Sequence, residues 1–396
     1  ATWAVALGTN LSALWILIAN GWMQNPVGSA FNPQTMRMEV DDFYAVLFNP
    51  VAQAKFVHTV SAGYVTAAIF VLGVSAWYLL KGRSVELARR SMTVAASFGL
   101  ASALSVVVLG DESGYLSTEH QKMKLAAIEA MWETEPAPAP FTIIGFPDQE
   151  ARTTHFAVRV PWVMGLIGTR SLTTVIPGIE ELVEHAEVRI RQGIVAYDAL
   201  QKIREAGSAA AVPDDVRIAF EDNGMDLGYA LLLKRYIDDP RQATEDQIAQ
   251  AASDTVPHVP TLFWTFRIMV GLGFFFILLT MVFFYLSARH RLDRYPWLLR
   301  VAVLSIPLPW IAAESGWIVA EVGRQPWSIE GVLPTAAAVS SLGATTVLVT
   351  IAGFALIYTV LFIVEMSLMI AAIRKGPQPD HDPEQAIGPA SLVPAE

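Results

Sequence analysis

Two glutamates stand inside an apolar stretch in the last third of the chain. Glu314 and Glu321 are seven residues apart, so they share one face of a helix, and Trp317 lies between them on the same side. An ionised carboxylate costs about 2.5–3.5 kcal/mol at the centre of a bilayer, so such a residue usually faces a partner, a cavity or a cofactor. We therefore predict a functional site here. The alternative is that Glu321 only snorkels to the membrane surface.

A histidine and a methionine could hold a haem. Of seven histidines, only His58 falls in an apolar stretch, and Met269 falls at a similar depth in another. A neutral imidazole and a thioether can form the axial pair of a low-spin haem, and Arg267 would suit a haem propionate. As alternatives, Met269 fills a packing gap and Arg267 snorkels. Glu321 could bind a five-coordinate iron and leave a position open for dioxygen.

A lysine and a glutamate in the polar part of the chain could contact one small ligand. Lys124 and Glu129 are five residues apart, about 140° around a helix, so both touch one ligand only if it lies over the turn between them. A surface ion pair is the competing interpretation.

Three further acids could carry protons. Asp111 and Glu112 stand at the predicted end of the third apolar stretch, where acids often do no more than contact solvent. Glu365 lies in the inner half of the last stretch, where it could belong to an inward-facing proton path or contact a partner subunit.

The composition is that of a membrane protein. Hydrophobic residues make up 53% and charged residues 16%, with a mean hydropathy of +0.42. The absence of cysteine excludes disulfides, iron–sulfur clusters and thiol nucleophiles. The net charge of −10 does not favour nucleic-acid binding. Because the chain opens at Ala1 inside an apolar run, we expect it to be a fragment that lacks an N-terminal part.

Six stretches are long enough to cross a bilayer, which takes about 20 residues. They cover residues 1–22, 57–80, 92–110, 263–286, 297–322 and 342–373. The predicted parts are therefore helices one to three (1–110), a polar loop (111–259), helices four to six (260–375) and a disordered cytoplasmic tail (376–396). Prolines 307 and 309 should kink the fifth helix.

Basic residues predict the orientation. They cluster after the second, fourth and sixth stretches, which share one side of the membrane if the helices alternate. The positive-inside rule makes that side cytoplasmic, so the polar loop faces outward. The clustered residues are Lys81, Arg83, Arg89, Arg90, Arg289, Arg291, Arg294, Arg300, Arg374 and Lys375.

Several motifs resemble subunit I of the cytochrome bd ubiquinol oxidases. They are Gly-Trp-Met-Gln-Asn-Pro-Val-Gly at 21–28, Asn-Pro-Val-Ala-Gln-Ala-Lys-Phe-Val-His-Thr at 49–59, Gly-Asp-Glu-Ser-Gly-Tyr at 110–115, Lys-Leu-Ala-Ala-Ile-Glu-Ala at 124–130, and Gly-Trp at 316–317 followed by Glu-Val-Gly-Arg-Gln-Pro-Trp at 321–327. They follow in order from the first helix to the fifth. The family has nine membrane helices, so the resemblance implies an all-α membrane protein of which six helices are present here.

The resemblance also implies roles for individual residues. His58 and Met269 would be the axial ligands of a low-spin haem b, with Arg267 assisting. Glu321 would ligate one of two high-spin haems, haem b or haem d, with Trp317 between haems. Arg324 would bind cofactor, Lys124 and Glu129 would form the quinol site, and Glu314, Glu365, Asp111 and Glu112 would serve proton paths.

As a family member, the protein would oxidise ubiquinol or menaquinol at the outer face of the bacterial inner membrane and reduce dioxygen to water. It would generate a proton motive force without pumping. Its partners would be subunit II, a small accessory subunit and membrane lipid, and no nucleic acid. Two other classes remain open: a membrane cytochrome b that passes quinol electrons to another reductase, and a haem-free transporter or structural subunit.

Overall fold

The computed structural model describes residues 1–377, so nearly all of the tail predicted at 376–396 lies outside the described residues. Within them, six helices or helix pairs are long and apolar enough to cross a membrane, as predicted. They comprise α1 (Thr2–Gln24), α2 (Phe43–Leu47) with α3 (Pro50–Leu80), α4 (Val85–His120), α10 (Val259–Ala288), α11 (Pro296–Leu304) with α12 (Leu308–Val322), and α13 (Ala344–Lys375).

The fifth apolar stretch breaks where its prolines predict. Helix α11 ends at Leu304 and α12 begins at Leu308, with Pro307 as its N-cap. A proline interrupts the hydrogen-bond ladder and clashes with the preceding turn. The break leaves α12 free to tilt independently of α11 while it carries Glu314 and Glu321 to one end of the bundle.

Four of these segments form a ring. Helix α3 packs against α4, α4 against α10, α10 against α12, and the α11–α12 segment returns to α3. The ring has its own apolar core, which includes Ile69, Leu72, Met92 and Phe283. In contrast, α13 has no buried residue and is held at its C-terminal end, where Tyr78 and Arg83 donate hydrogen bonds to the carbonyls of residues 373–375.

A polar domain of residues 121–258 covers one end of the ring, which we call the domain end. Its helices are α5 (Lys122–Glu129), α6 (Ile179–Ala206), α7 (Asp214–Asn223), α8 (Leu227–Leu232) and α9 (Glu245–Ser253). Six consecutive residues of α5, 124–129, are buried. The core of the domain is continuous with the first turns of α10 through Val259, Leu262 and Phe263. The domain is therefore fixed to the membrane helices by shared packing.

Three two-stranded antiparallel hairpins accompany the helices, and the sequence had not predicted them. They pair β1 (Ser29–Asn32) with β2 (Arg37–Val40), β3 (Phe141–Asp148) with β4 (Thr153–Val160), and β5 (Trp327–Ile329) with β6 (Leu333–Pro334). The fold remains mainly helical.

The third membrane helix is longer than the sequence predicts. We placed its end at Gly110, but α4 continues to His120 and enters the polar domain. Residues 111–120 are polar yet helical, because domain segments pack beside them where lipid would otherwise be. Asp111 and Glu112 therefore lie inside the helix, just beyond the apolar stretch, and not at its end.

Candidate functional site

The Glu321 carboxylate is bonded by protein on both oxygens. Its Oε1 accepts a hydrogen bond from Asn20 Nδ2 at 2.8 Å, and its Oε2 accepts one from Arg324 Nη2 at 2.5 Å. The Arg324 side chain is buried, and its Nε and Nη1 have no hydrogen-bond partner among residues 1–377. A buried guanidinium with unused donors is costly unless another acceptor completes it. The arrangement favours a binding site over simple snorkelling of Glu321.

Helix α1 reaches this site because it approaches α3 very closely. A Cβ on Gly21 would come within 2.5 Å of Ala52 Cβ, so only glycine permits the approach. Asn20, the preceding residue, accepts a hydrogen bond on Oδ1 from Lys55 Nζ at 2.9 Å. A lysine of α3 and a glutamate of α12 are thereby joined through one amide of α1.

A hydrogen-bonded network continues from Asn20 into the polar domain. Gln24 Nε2 donates to Asn20 Oδ1 at 3.0 Å, and Lys124 Nζ donates to Gln24 Oε1 at 2.8 Å and to Gln121 Oε1 at 2.6 Å. Gln121 Nε2 then donates to Glu330 Oε2 at 3.2 Å. We call this sequence of contacts the polar chain: Glu321, Asn20, Gln24, Lys124, Gln121 and Glu330.

The Lys124 side chain packs against Gly323, the glycine of the Gly-Arg-Gln-Pro-Trp motif. A Cβ on Gly323 would lie 2.8 Å from Lys124 Cγ. Burial lowers the pKa of Lys124, and the charges of Glu330 and Glu321 oppose that decrease. Burial likewise raises the pKa of Glu330, against the hydrogen bond from Gln121 and the charge of Lys124. The two groups are therefore buried titratable neighbours.

Glu129 lies in a separate cluster with Arg267. Arg267 Nη2 is 3.1 Å from Glu129 Oε2, and the two side chains are 9% and 2% exposed. Other guanidinium donors bond the carbonyls of Ile128, Thr142 and Phe263, and the group stacks 3.4 Å from the centre of the Phe263 ring. Burial raises the pKa of Glu129 to about 7, although the charge of Arg267 opposes the shift. Lys124 and Glu129 thus have different partners.

His58 lies on α3 and Met269 lies on α10. These two helices face each other across the ring, because α4 and α12 separate them. His58 lies three residues beyond Lys55 along α3, about 4.5 Å further from the start of that helix. Met269 Sδ lies 3.0 Å from the position that a Cβ on Gly316 would take, and Gly316 is about 7.5 Å deeper than Glu321 along α12. The Met269 sulfur therefore contacts α12 about one and a half helical turns from Glu321.

The remaining predicted residues fall outside these clusters. Glu314 is exposed, Trp317 is 40% exposed on the same helix, and Glu365 is exposed on α13. Asp111 and Glu112 share one partner: Arg170 Nη2 lies 3.3 Å from Asp111 Oδ2 and 2.5 Å from Glu112 Oε2. The Arg170 guanidinium also lies 4.3 Å from the centre of the Tyr115 ring.

Among the described residues, no three His, Cys, Asp or Glu side chains gather into a metal site. The donors available inside the ring are instead a lone imidazole, a thioether and a paired carboxylate. Such separate donors suit the axial positions of a metal that a macrocycle already holds. This set of donors, beneath a domain with buried titratable groups, is typical of a membrane redox subunit.

Comparison with known proteins gives the family. Residues 1–377 match the family model described as cytochrome bd terminal oxidase subunit I. The chain therefore belongs to this family. It is a subunit of a terminal quinol oxidase, a multi-pass bacterial membrane protein, and the family implies haem cofactors.

Individual relatives agree with this assignment. The chain is 42% identical over 376 residues to cytochrome bd-II ubiquinol oxidase subunit 1 of Escherichia coli (strain K12), covering 95% of this chain and 72% of the relative. It is 30% identical over 396 residues to cytochrome bd ubiquinol oxidase subunit 1 of Bacillus subtilis (strain 168), covering 98% of this chain and 70% of the relative.

A solved structure shares the fold. The bd oxidase from Geobacillus thermodenitrificans matches with a TM-score of 0.68 at 23% identity, over 94% of this chain and 69% of that one. The six-helix architecture and the family predicted from the sequence are thus confirmed. The roles of individual residues stay predictions.

Proposed function

We propose that this chain is the haem-binding subunit that oxidises quinol at the domain end of the membrane helices and supports reduction of dioxygen to water. The observation that carries the proposal is the imidazole of His58 inside the helical ring, where it lies beside the backbone of Val106 and Gly110. Its Nδ1 is buried and has no hydrogen-bond partner among the described residues. An apolar ring has no structural need for such a group, whereas a haem iron does.

The residues fit the implied haems. His58 and Met269 would hold a low-spin haem b, and Glu321 would hold one of the high-spin haems, haem b or haem d. The unused donors of Arg324 suit a propionate, because a buried guanidinium requires an acceptor. Arg267 bonds Glu129 and backbone carbonyls, so its support of the low-spin haem would come through its position two residues before Met269. When bound, the haems would carry electrons from quinol to dioxygen.

Quinol would bind at the polar domain, near Lys124 and Glu129. The carboxylate of Glu129 would accept a proton from a quinol hydroxyl, because its raised pKa lies close to physiological pH. Two of the three Lys124 Nζ protons are donated to Gln24 and Gln121, which leaves the third for a quinol oxygen. Release of the quinol protons at the domain end would place them on the outer side predicted by the basic residues.

Protons for water formation would come from the opposite, basic end, with Glu314 and Glu365 as acids on the way. Asp111 and Glu112 with Arg170 would form an exposed group that passes quinol protons to solvent. Charge separation of this kind stores about 2.3 kcal/mol per charge per 100 mV, without a pump. Subunit II and a small accessory subunit would cover faces such as α13, and ubiquinol or menaquinol would be the electron donor.

The test is a reduced-minus-oxidised spectrum of the assembled protein. We expect His58→Ala to lose the low-spin haem b bands while the protein still inserts into the membrane. His185→Ala is the matched control, because His185 is exposed on α6 of the polar domain. Retention of the low-spin bands in His58→Ala would refute the ligand assignment.

A further inference from the structure

The acid at the far end of the polar chain has no role in the reaction described so far. Glu330 lies in the turn between β5 and β6, and its backbone N–H donates to Met23 O at 2.9 Å, which fixes the turn against α1. Helix α8 holds the turn from the other side, where a Cβ on Gly228 would come within 2.2 Å of Gly331 O. The backbone around Glu330 is thus held on two sides, and its carboxylate is aimed at Gln121.

Gln121 transmits the position of Glu330 to Lys124. Its amide N–H donates to Glu330 Oε2 at 3.2 Å and its amide oxygen accepts from Lys124 Nζ at 2.6 Å. An amide bonded in this way cannot flip without breaking both contacts, because its oxygen and nitrogen would exchange places. The carboxylate therefore determines which way the Gln121 oxygen faces, and that oxygen positions the ammonium group.

The negative charge of Glu330 also favours a fixed position of the Lys124 ammonium group. Glu330 faces Lys124, Arg189 and Arg324, and the Tyr229 hydroxyl lies nearby. Arg189 is already paired with Asp226 at 2.6 Å and with Tyr229 OH at 3.0 Å, and Arg324 is paired with Glu321. Lys124 bonds only neutral amide oxygens in its two hydrogen bonds. Glu330 and then Glu321 are the acids whose charges favour the protonated form of Lys124, whereas Arg324 and Lys55 oppose it.

We propose that Glu330 is a positioning residue of the quinol site, which orients the Lys124 ammonium group through Gln121 and compensates its positive charge. The inference rests on the proposed role of Lys124 in quinol binding. It adds a residue from the segment after α12, more than two hundred positions further along the chain, to the residues of α5. No bond is made or broken at Glu330 itself.

The two contributions can be separated with two variants. Glu330→Gln removes the charge and keeps an oxygen that can accept from Gln121. Gln121→Met removes the connecting amide and keeps both charges. Each is measured in the assembled holoenzyme with ubiquinol-1 as substrate, from about pH 5.5 to 9.5, which spans the range where such shifted groups titrate. The haem spectrum reports assembly, and Glu150→Gln, an exposed acid of the same domain, is the control.

For Glu330→Gln we expect the alkaline limb of kcat/KM to move to lower pH by about 1 unit, the low end of the effect of a nearby opposite charge. The difference from wild type should vanish in acid, where Glu330 is itself protonated. For Gln121→Met we expect KM to rise about tenfold, as for one lost hydrogen bond to a charged group, with little change in kcat or in the pH profile. Glu330→Asp keeps the charge and should restore the profile.

A pH profile of Glu330→Gln that superimposes on wild type would overturn the proposal. If that variant does not assemble, an unchanged KM in Gln121→Met would overturn it independently. Lys124→Met separates the role of Lys124 in quinol binding from the role of Glu330. If Lys124→Met leaves quinol oxidation intact, the proposed quinol site itself fails. If only Lys124→Met is impaired, the site stands and the role of Glu330 does not.

Discussion

Arg267 and Glu129 form a buried ion pair, with Nη2 and Oε2 3.1 Å apart, that joins the polar domain to α10 only two residues before Met269. Removal of one partner of such a pair costs about 3–5 kcal/mol, because the other charge stays buried. The pair therefore links the proposed proton acceptor for quinol to the proposed haem ligand through rigid contacts.

The first prediction concerns the acid limb of quinol oxidation. Burial raises the pKa of Glu129 to about 7, so the carboxylate form that can accept a proton is lost as pH falls through that value. We expect kcat in the wild type to decline below about pH 7 for this reason. Glu129→Gln should reduce kcat about 100-fold or more and remove this limb, the effect of losing a general base.

Steady-state quinol oxidation across pH checks this prediction, with Glu245→Gln as the control. Glu245 is an exposed acid of the same domain that pairs with Arg191. A Glu129→Gln enzyme that kept the wild-type acid limb would assign that limb to another group.

The second prediction concerns the Met269 thioether. Met269→Leu conserves volume and should cost less than about 1.5 kcal/mol in stability. If the sulfur ligates iron, its loss should lower the midpoint potential of the low-spin haem, because methionine raises it. Redox titration followed by absorbance measures the potential, with Met281→Leu on the lipid-exposed face of the same helix as control. An unchanged potential would show that Met269 only packs.

The third prediction tests the same sulfur without changing it. A Cβ on Gly316 would stand 3.0 Å from Met269 Sδ, whereas a Cβ on Gly353 of α13 has nothing within 4 Å. Both Gly→Ala changes gain helix propensity of about 1 kcal/mol. We expect Gly316→Ala alone to move the thioether and shift the low-spin haem spectrum or potential. Identical spectra for the two variants would contradict contact of this sulfur with the haem.

The fourth prediction concerns the Glu321 carboxylate. Glu321→Gln keeps an oxygen for the Asn20 amide but removes the negative charge that Arg324 binds. We expect loss of a high-spin haem signal and of oxygen reduction, with the low-spin bands retained. Oxygen consumption and the spectrum of the reduced protein measure these effects. Full oxygen reduction in Glu321→Gln would rule out an essential role for the charge.

The sequence predicts the helices well because apolar runs of membrane length have few other solutions. It predicts the end of α4 poorly, because residues 111–120 are polar and only the packed domain explains why they stay helical. The polar chain was missed almost entirely. Asn20 and Glu321 lie 301 positions apart, and no local pattern shows that α1 and α12 meet. Lys55, a charge two residues before the second apolar stretch and inside α3, was the available signal.

The hairpins and the contacts of Glu330 were also not predictable from the sequence. The β3–β4 strands are exposed on much of their surface, and their pairing has two register irregularities. Their polar and apolar residues therefore alternate only weakly, and this alternation is the pattern that predicts a strand. Glu330 follows the predicted site by nine positions and looks like an ordinary loop acid. The folded structure shows that the segment after α12 folds back over α8 and α5, through the close approaches at Gly228 and Gly323 and the hydrogen bond from Gln121.

The two links between Lys124 and Glu321 in the polar chain are carboxamides. Gln24 and Asn20 hydrogen-bond strongly but do not ionise, so they transmit orientation and electric field without transferring protons. Lys124 and Glu321 can therefore respond to each other's charge without exchanging protons through these two amides. In the proposed reaction, where protons are released at the domain end and taken up from the opposite end, this separation would keep the two proton paths from joining.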